Sequence, residues 1–423
     1  MGRPALSRRS LLSGLGLGAV GLAVGRFAAT GSGTTPSWPQ YRYDATGAGY
    51  APDRTVPRES PNVRWKHEFD QSGFLTLAPI LHDGHLYHAF GDGLVALDAE
   101  AGAVAYELTD SDRQFCSTPA VASARAYVTP ALVVAWQHGY QALGIDGGLA
   151  VPGTDARLFT SRWRLGADSN GSDLFPTLLG GGWQTPPAVA DGTVFVQSDE
   201  LVALDASSGR VRWHGESRAA ARPAIADGSV YVPNYETDAA LLALDAETGA
   251  RNWQVWMERP PDRQPVVADG MVFVSNGERV VAVEVASKER TWQRTADENE
   301  RFVSLPVVRD GTVYCWSRRW TEDGESEGDP AHEGGRLYAL DAKSGTERWT
   351  APSPVPDDHH DGPVGAGDVL LLPADDALYA FDADSGKNLW HFEGEYGVSS
   401  PVVGDGTVYF ADAKSIYALE GQT

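Results

Sequence analysis

Leu244-Asp245-Ala246-Glu247-Thr248-Gly249-Ala250-Arg251-Asn252-Trp253 is the stretch on which the fold turns. An apolar run ends in a carboxylate, glycine follows four residues later, and an indole stands eight residues on. A short aspartate side chain can bond the backbone of a turn while glycine takes the left-handed position, so the stretch reads as strand, tight turn, strand. The spacing recurs at Ala96-Leu97-Asp98, Ala203-Leu204-Asp205, Ala339-Leu340-Asp341 and Ala380-Phe381-Asp382, with Tyr106, Trp213, Trp349 and Trp390 in the aromatic place beside Trp253.

Upstream of these motifs lies a second recurring unit, in which proline opens a short strand of small apolar residues and Asp-Gly follows. The prolines are Pro79, Pro119, Pro187, Pro223, Pro265, Pro306, Pro363 and Pro401, separated by 40, 68, 36, 42, 41, 57 and 38 residues. Asp83-Gly84, Asp191-Gly192, Asp227-Gly228, Asp269-Gly270, Asp310-Gly311 and Asp405-Gly406 each sit between apolar runs, the strongest local signal for a two-residue hairpin. A period near forty residues with four strands per copy describes the blade of a propeller, with insertions in the second and sixth copies.

Such a blade has apolar residues on both faces and must stack on neighbours, with the aromatic of each fourth strand packing between blades. The eighth copy stops at Ala418-Leu419-Glu420 without its fourth strand, while Asn62-Val63-Arg64-Trp65-Lys66-His67-Glu68-Phe69 is an orphan fourth strand with its tryptophan in place. Joining the two would close the ring and remove two sheet edges. The expected fold is therefore all-β: eight four-stranded antiparallel blades over residues 62–423, closed by the N-terminal strand. Blade docking falls to Trp65, Tyr106, Trp213, Trp253, Trp292, Trp349 and Trp390.

Three copies depart from the pattern. In the fifth, Glu284 and Lys288 replace Asp and Gly, so a different turn is expected there. In the second, Ser123-Ala124-Arg125 replaces Asp-Gly, and the third strand cannot be placed; the aromatic stretch from Trp136 to Trp163 could form a lid or a partner-binding patch. The seventh carries Gly365-Ala366-Gly367-Asp368 at its first turn.

The repeat Leu-Asp-x-x-Thr/Ser-Gly-x-x-x-Trp resembles the quinoprotein-dehydrogenase-like propellers. Trp38-Pro39-Gln40-Tyr41-Arg42-Tyr43-Asp44, followed by Thr46-Gly47, is similar to the start of non-catalytic members such as the bacterial outer-membrane assembly propeller. The resemblance implies either a binding or scaffold module without a cofactor or, as the alternative, an oxidoreductase using pyrroloquinoline quinone with calcium. The dehydrogenases' adjacent cysteine pair is missing: Cys116 and Cys315 are the only cysteines, and eight blades place them across the ring, so both thiols are expected to be free. Haem-attachment, phosphate-loop and hydrolase motifs are also missing.

The N-terminus resembles a twin-arginine export signal, with Arg8-Arg9 preceding an apolar run from Leu11 to Gly25 that is short for a membrane span of about 20 residues. Residues 1–33 are assigned to that signal and a linker, and residues 34–61 to an N-terminal extension; the expected location is outside the cytoplasm, with membrane attachment only if the signal is retained. The net charge of -23, from 57 acidic against 34 basic side chains of which five are lysines, argues against nucleic-acid partners and resembles proteins of salt-loving organisms. A protein, an envelope component or a small polar ligand is the expected partner of a monomeric ring.

Candidate ligand-binding residues precede the inner-strand prolines, where the loops between blades reach the channel mouth: Thr118, Arg222, Arg263, Gln264, Asp361, Ser399 and Ser400. The competing reading is solvated loop ends. His359 and His360, with His332 from the sixth-blade insertion, are the metal candidates, set against a solvated acidic loop. No catalytic residue is assigned.

Overall fold

The computed structural model describes Ser37 to Gln422 except residues 70–75, 110–113, 124–126, 137–138, 153–156, 159, 167–184, 198–199, 216, 218–220, 235–239, 321–331, 354–361, 375 and 396. The chain divides into two units, Met1–Thr34 and Thr35–Thr423, and every described residue belongs to the second. The export-signal expectation therefore lies outside the described residues.

Eight antiparallel blades form in sequence order, without a helix among the described residues. The fourth is representative, running Ala224–Ala226, Ser229–Asn234, Ala240–Asp245 and Arg251–Trp256 from the axis outward. Asp83, Asp191, Asp227, Asp269 and Asp310 have φ between 47° and 52°, and each is followed by a left-handed glycine. Positive φ at both central residues makes these type I′ hairpins, whose twist matches that of the strands. Gly406 alone is left-handed in the Asp405-Gly406 turn, which Gly404 closes by donating to the Thr407 carbonyl.

The ring closes as its two fragments imply. Asn62–Glu68 pairs antiparallel with Ser415–Glu420, from Asn62 opposite Glu420 to Glu68 opposite Ser415. The core lies between blades: one cluster joins Tyr231, Leu241 and Ala243 of the fourth blade to Val272, Val274 and Val283 of the fifth.

Most fourth-strand aromatics reach into the next blade's outer turn. Trp213 donates from Nε1 to the Ala246 carbonyl at 3.1 Å, and its ring lies against Gly249 so closely that a Cβ there would sit 2.6 Å from Cε3. Trp65 does the same to Ala99 and Gly102, and Trp292 to Ala342 and Gly345. Tyr106 donates its hydroxyl to Ile145 at 2.7 Å and packs on Gly147, while Trp349 packs on Gly386. Trp390 instead donates to Pro57 of the N-terminal segment, and Trp253 packs among the fourth- and fifth-blade residues of their shared cluster. The glycine of the repeat thus has two causes, a positive φ (74° at Gly249) and an indole on its α-carbon.

The fifth-blade turn does not differ as expected. Lys288 donates to the Glu284 carbonyl at 2.8 Å, as Gly249 does to Asp245, and adopts φ 60°. Backbone closure alone fixes this turn, at the cost of holding a lysine in the left-handed region. The second blade is also regular: its third strand is Gly139–Gly144 and its fourth Ser161–Gly166, with Trp163 docking on Gly209 and donating to Ala206 at 2.8 Å. Trp136, Tyr140 and Trp163 are core residues, so these three aromatics form neither a lid nor an exposed patch. Among the described residues, the hairpin of Leu149–Ala150 and Arg157–Leu158 is added between strands three and four. The sixth-blade insertion extends strands two and three to Thr312–Trp320 and His332–Asp341.

Candidate functional site at the ring axis

The inner strand of a blade has a free edge facing the axis, and proline at its start costs little because an edge position has no ladder partner for the missing N–H. The middle residue of that strand nevertheless presents an N–H to the axis. In seven of the eight blades this N–H is taken up by the N-terminal extension. Leu81 exchanges backbone bonds with Trp38, at 2.6 and 3.0 Å. Val121 donates to the Pro39 carbonyl at 2.8 Å, and Val189 to Gln40 Oε1 at 3.0 Å, with Gln40 Nε2 returning a bond to the Val189 carbonyl. Ile225 donates to Ala45, Val267 to Thr46, Val308 to Ala48 and Gly365 to Gly49, at 2.7–3.2 Å. Residues 38–49 thus pass the blades in ring order, and Tyr50–Ala51 then pairs in parallel with Gly365–Ala366.

Two features let this short segment reach so many blades. Arg42 and Tyr43 both lie in the left-handed region, with φ 58° and 75°, which turns the chain sharply at the axis. Gly47 and Gly49 occupy positions where a Cβ would meet Gln264 Nε2 at 2.0 Å and Arg42 Nη2 at 2.6 Å. The Arg42 side chain is completely buried and donates to four carbonyls: Gly47, Ala48, Pro363 and, by a short bond, Pro306. Burial pushes its pKa down to about 10.

Two of the predicted channel-mouth residues, Arg222 and Gln264, lie against this segment. Arg222, 2 % exposed, donates from Nη2 to Gln40 Oε1 at 2.7 Å and to the Asp44 carbonyl at 3.4 Å, and from Nε to the Pro187 carbonyl. Desolvation pushes its pKa to about 10, against the favourable field of Asp44. Gln264 is buried with Nε2 against Gly47. Ser400 is buried and bonds the Gly362 carbonyl at 2.6 Å, and Gly362 in turn donates to the Tyr41 hydroxyl at 3.0 Å. Ser399 has an internal duty: its hydroxyl accepts from the Ala411 N–H, as Ser117 does from Ala135 in the second blade. Thr118 is buried, and Arg263 is partly exposed beside Asp262. With the exception of Arg263, the described candidates are dry rather than solvated loop ends.

Asp361, His359 and His360 lie outside the described residues. The backbone of His332 pairs with Trp320 in the extended sixth blade. Among the described residues, no three His, Cys, Asp or Glu side chains gather as metal ligands. Neither Cys116 nor Cys315 is in a disulfide and both are buried, and burial pushes the Cys315 thiol up to about 12.

Eight blades carrying the Leu-Asp-to-Trp repeat, with aromatics seated on the neighbouring turn's glycine, define a propeller of the quinoprotein-like repeat class. The family described as outer membrane protein assembly factor BamB matches residues 134–314 and 333–423. The chain belongs to that family. In sequence it is 32 % identical over 177 residues to the serine/threonine-protein kinase AfsK of Streptomyces coelicolor, covering 40 % of this chain and 19 % of the kinase. The corresponding figures for AfsK of Streptomyces griseus are 31 % over 168 residues, 35 % and 18 %. The chain therefore spans about a fifth of the length of the curated relatives it matches. In structure it is similar to BamB from Moraxella catarrhalis (TM-score 0.59, 14 % identity, 85 % of this chain and 100 % of that one). It is also similar to the quinohemoprotein alcohol dehydrogenase of Comamonas testosteroni (TM-score 0.65, 14 % identity, 92 % and 82 %). At these identities the structural likeness establishes the fold alone.

Proposed function

We propose that this chain is an exported, non-catalytic binding or scaffold propeller that holds a protein or envelope component on its outer surfaces. The observation that carries the reading is the filled axis: the space where a propeller of this class would take a small ligand is spanned by Trp38 to Ala51, bonded to seven inner strands. Pyrroloquinoline quinone with calcium does not fit that arrangement. The buried donors Arg42 and Arg222 are engaged with the chain's own carbonyls and with Gln40, and the described residues there offer no carboxylate cluster for calcium. The oxidoreductase alternative rests on resemblance, and the filled axis counts against it. A small polar ligand at the axis would have to displace the extension.

An outward feature supports a protein partner. Leu149 and Leu158 face each other across the second-blade hairpin and are 61 % and 49 % exposed. Exposed cross-strand leucines on a projecting hairpin suit an apolar contact with another chain. Two measurements test the proposal on the purified protein. Titration with quinone and calcium, followed by dye reduction with alcohols and sugars, is expected to give neither saturable binding nor turnover; one-site binding with turnover overturns the reading. Envelope proteins captured by the intact chain are expected to be lost with Leu149→Asp/Leu158→Asp. Equal capture by that variant removes the hairpin from the interface.

A further inference from the structure

The sixth blade carries a strand that the repeat does not supply. Glu300–Phe302 pairs antiparallel with residues 317–319 of the extended second strand, whose other end pairs with the inner strand Val307–Arg309. Glu300 stands opposite Arg319, Arg336 opposite both Ser317 and Pro352, and Tyr338 opposite Thr350. Directly opposed residues, and residues two apart on one strand, share a face of a sheet. The register thus brings Glu300, Arg319, Arg336, Thr350 and Pro352 to one face, and all of them line a single cleft of about 440 Å³. Small-molecule sites span about 300–1,000 Å³.

The polar groups of this cleft are unevenly satisfied. Arg336 is held in place: Nη1 donates to Asp297 Oδ2 at 2.8 Å, and Nε lies 3.5 Å from Glu300 Oε1. Tyr338 donates its hydroxyl to Glu300 Oε2 at 2.7 Å, while Arg294, itself paired with Asp297 at 3.2 Å, lies over the Tyr338 ring. Among the described residues, three groups are left over. Arg336 Nη2 makes no hydrogen bond. Arg319 is exposed and has neither a hydrogen bond nor an ion pair. Glu300 Oε1 accepts no hydrogen bond, although its side chain is 1 % exposed. A buried acceptor without a donor is costly, so a ligand that supplies one is favoured there.

We propose that this cleft binds a small carboxylic acid carrying a hydroxyl or ammonium donor beside its carboxylate, as sugar acids and α-amino acids do. Arg319 and Arg336 Nη2 take the carboxylate, since the planar guanidinium fork matches a planar oxyanion. The neighbouring donor of the ligand is directed to Glu300 Oε1, and Thr350 and Pro352 flank its body. Asp297 and Tyr338 are positioning residues, acting through Arg336 and Glu300. The site is distinct from the second-blade hairpin and does not rest on the scaffold reading, so either can fail without the other.

Isothermal titration of the full chain with D-glucuronate and with L-serine tests the site, with glucose and serinamide as counterparts lacking the carboxylate. One of the two acids is expected to bind at a single site in the millimolar range or tighter, and which of them binds tells a sugar acid from an amino acid. Neither counterpart is expected to bind. Arg319→Gln is expected to weaken binding about tenfold or more through loss of a charge-assisted hydrogen bond, with Tm unchanged because the side chain is exposed and unpartnered. Glu300→Gln is expected to bring the affinity for the acid down to that for acetate, which has no donor. Absence of binding by both acids, equal binding by the counterparts, or full affinity in Arg319→Gln overturns the site. If Glu300→Gln does not fold, Arg319→Gln decides.

Discussion

Replacing Gly249 by alanine tests the physical origin of the repeat. Gly249 has φ 74°, and an added Cβ would lie 2.6 Å from Trp213 Cε3, inside any tolerable contact. Gly192 has nearly the same φ, 72°, yet a Cβ there meets nothing within 4 Å. Gly192→Ala therefore measures the left-handed backbone penalty alone, about 1–2 kcal/mol. Gly249→Ala adds displacement of the indole, with loss of its 3.1 Å bond to Ala246, worth about 1 kcal/mol, and of packing against the next blade. The expected total is about 3–4 kcal/mol. Equilibrium urea unfolding of the two variants, with Trp213→Ala alone and combined with Gly249→Ala, completes a double-mutant cycle. Once the indole is gone, Gly249→Ala is expected to cost no more than Gly192→Ala. Equal costs for the two glycine variants, or additive effects in the cycle, would refute the claim that the glycine exists to receive the neighbouring blade's tryptophan.

Lys288→Gly is expected to raise stability by about 1 kcal/mol, because it relieves a left-handed lysine without removing a cap; unchanged or lower urea midpoints contradict this. Trp65→Ala opens the seam between the N-terminal strand and the last blade, with a loss of about 3–5 kcal/mol and faster hydrogen exchange across Ser415–Glu420; exchange confined to Asn62–Glu68 would show that the closure is not cooperative. His88 is buried and stacked on Phe69 at 5.3 Å, and desolvation, helped by His67, pushes its pKa down to about 3. Since the folded-state value lies below the unfolded one, the unfolded chain binds the proton first, and stability falls as pH drops from about 6.5 towards 3. His88→Phe should abolish that component, so the stability difference between variant and parent grows by about 1.4 kcal/mol per pH unit in this window. A pH-independent difference would contradict the assignment.

Blade number, hairpin positions and ring closure were legible because each depends on local spacing. Asp245 caps its own turn through Oδ1 at 2.8 Å from the Thr248 N–H, and Asp341 does so at 2.9 Å from Ser344; neighbours in sequence make these contacts. The second blade hid its third strand because Gly144 stands where aspartate is usual and the receiving Gly147 comes one residue early, before an added hairpin. The axis was not legible. Gln40 meets Val189 across 149 positions and Arg42 meets Pro363 across 321, with no period to announce either contact. Of the candidate polar residues at the channel mouth, Arg222 and Gln264 have residues 38–51 as their neighbour rather than solvent. The available signal was composition: Trp38 to Tyr50 is dense in aromatics and glycine for a mere leader to a propeller.

The account stands most directly on the filled axis, and residue-resolved native-state hydrogen exchange of the intact chain reads it. The inner-strand amides of Leu81, Val121, Val189, Ile225, Val267, Val308 and Gly365 lie on an edge with no ladder partner inside their own blades, so protection there must come from the extension. The account predicts that all seven exchange as slowly as the central-strand amides Val232 and Leu242. Rapid exchange at those seven, with the central strands still protected, would mean an open channel and would contradict it.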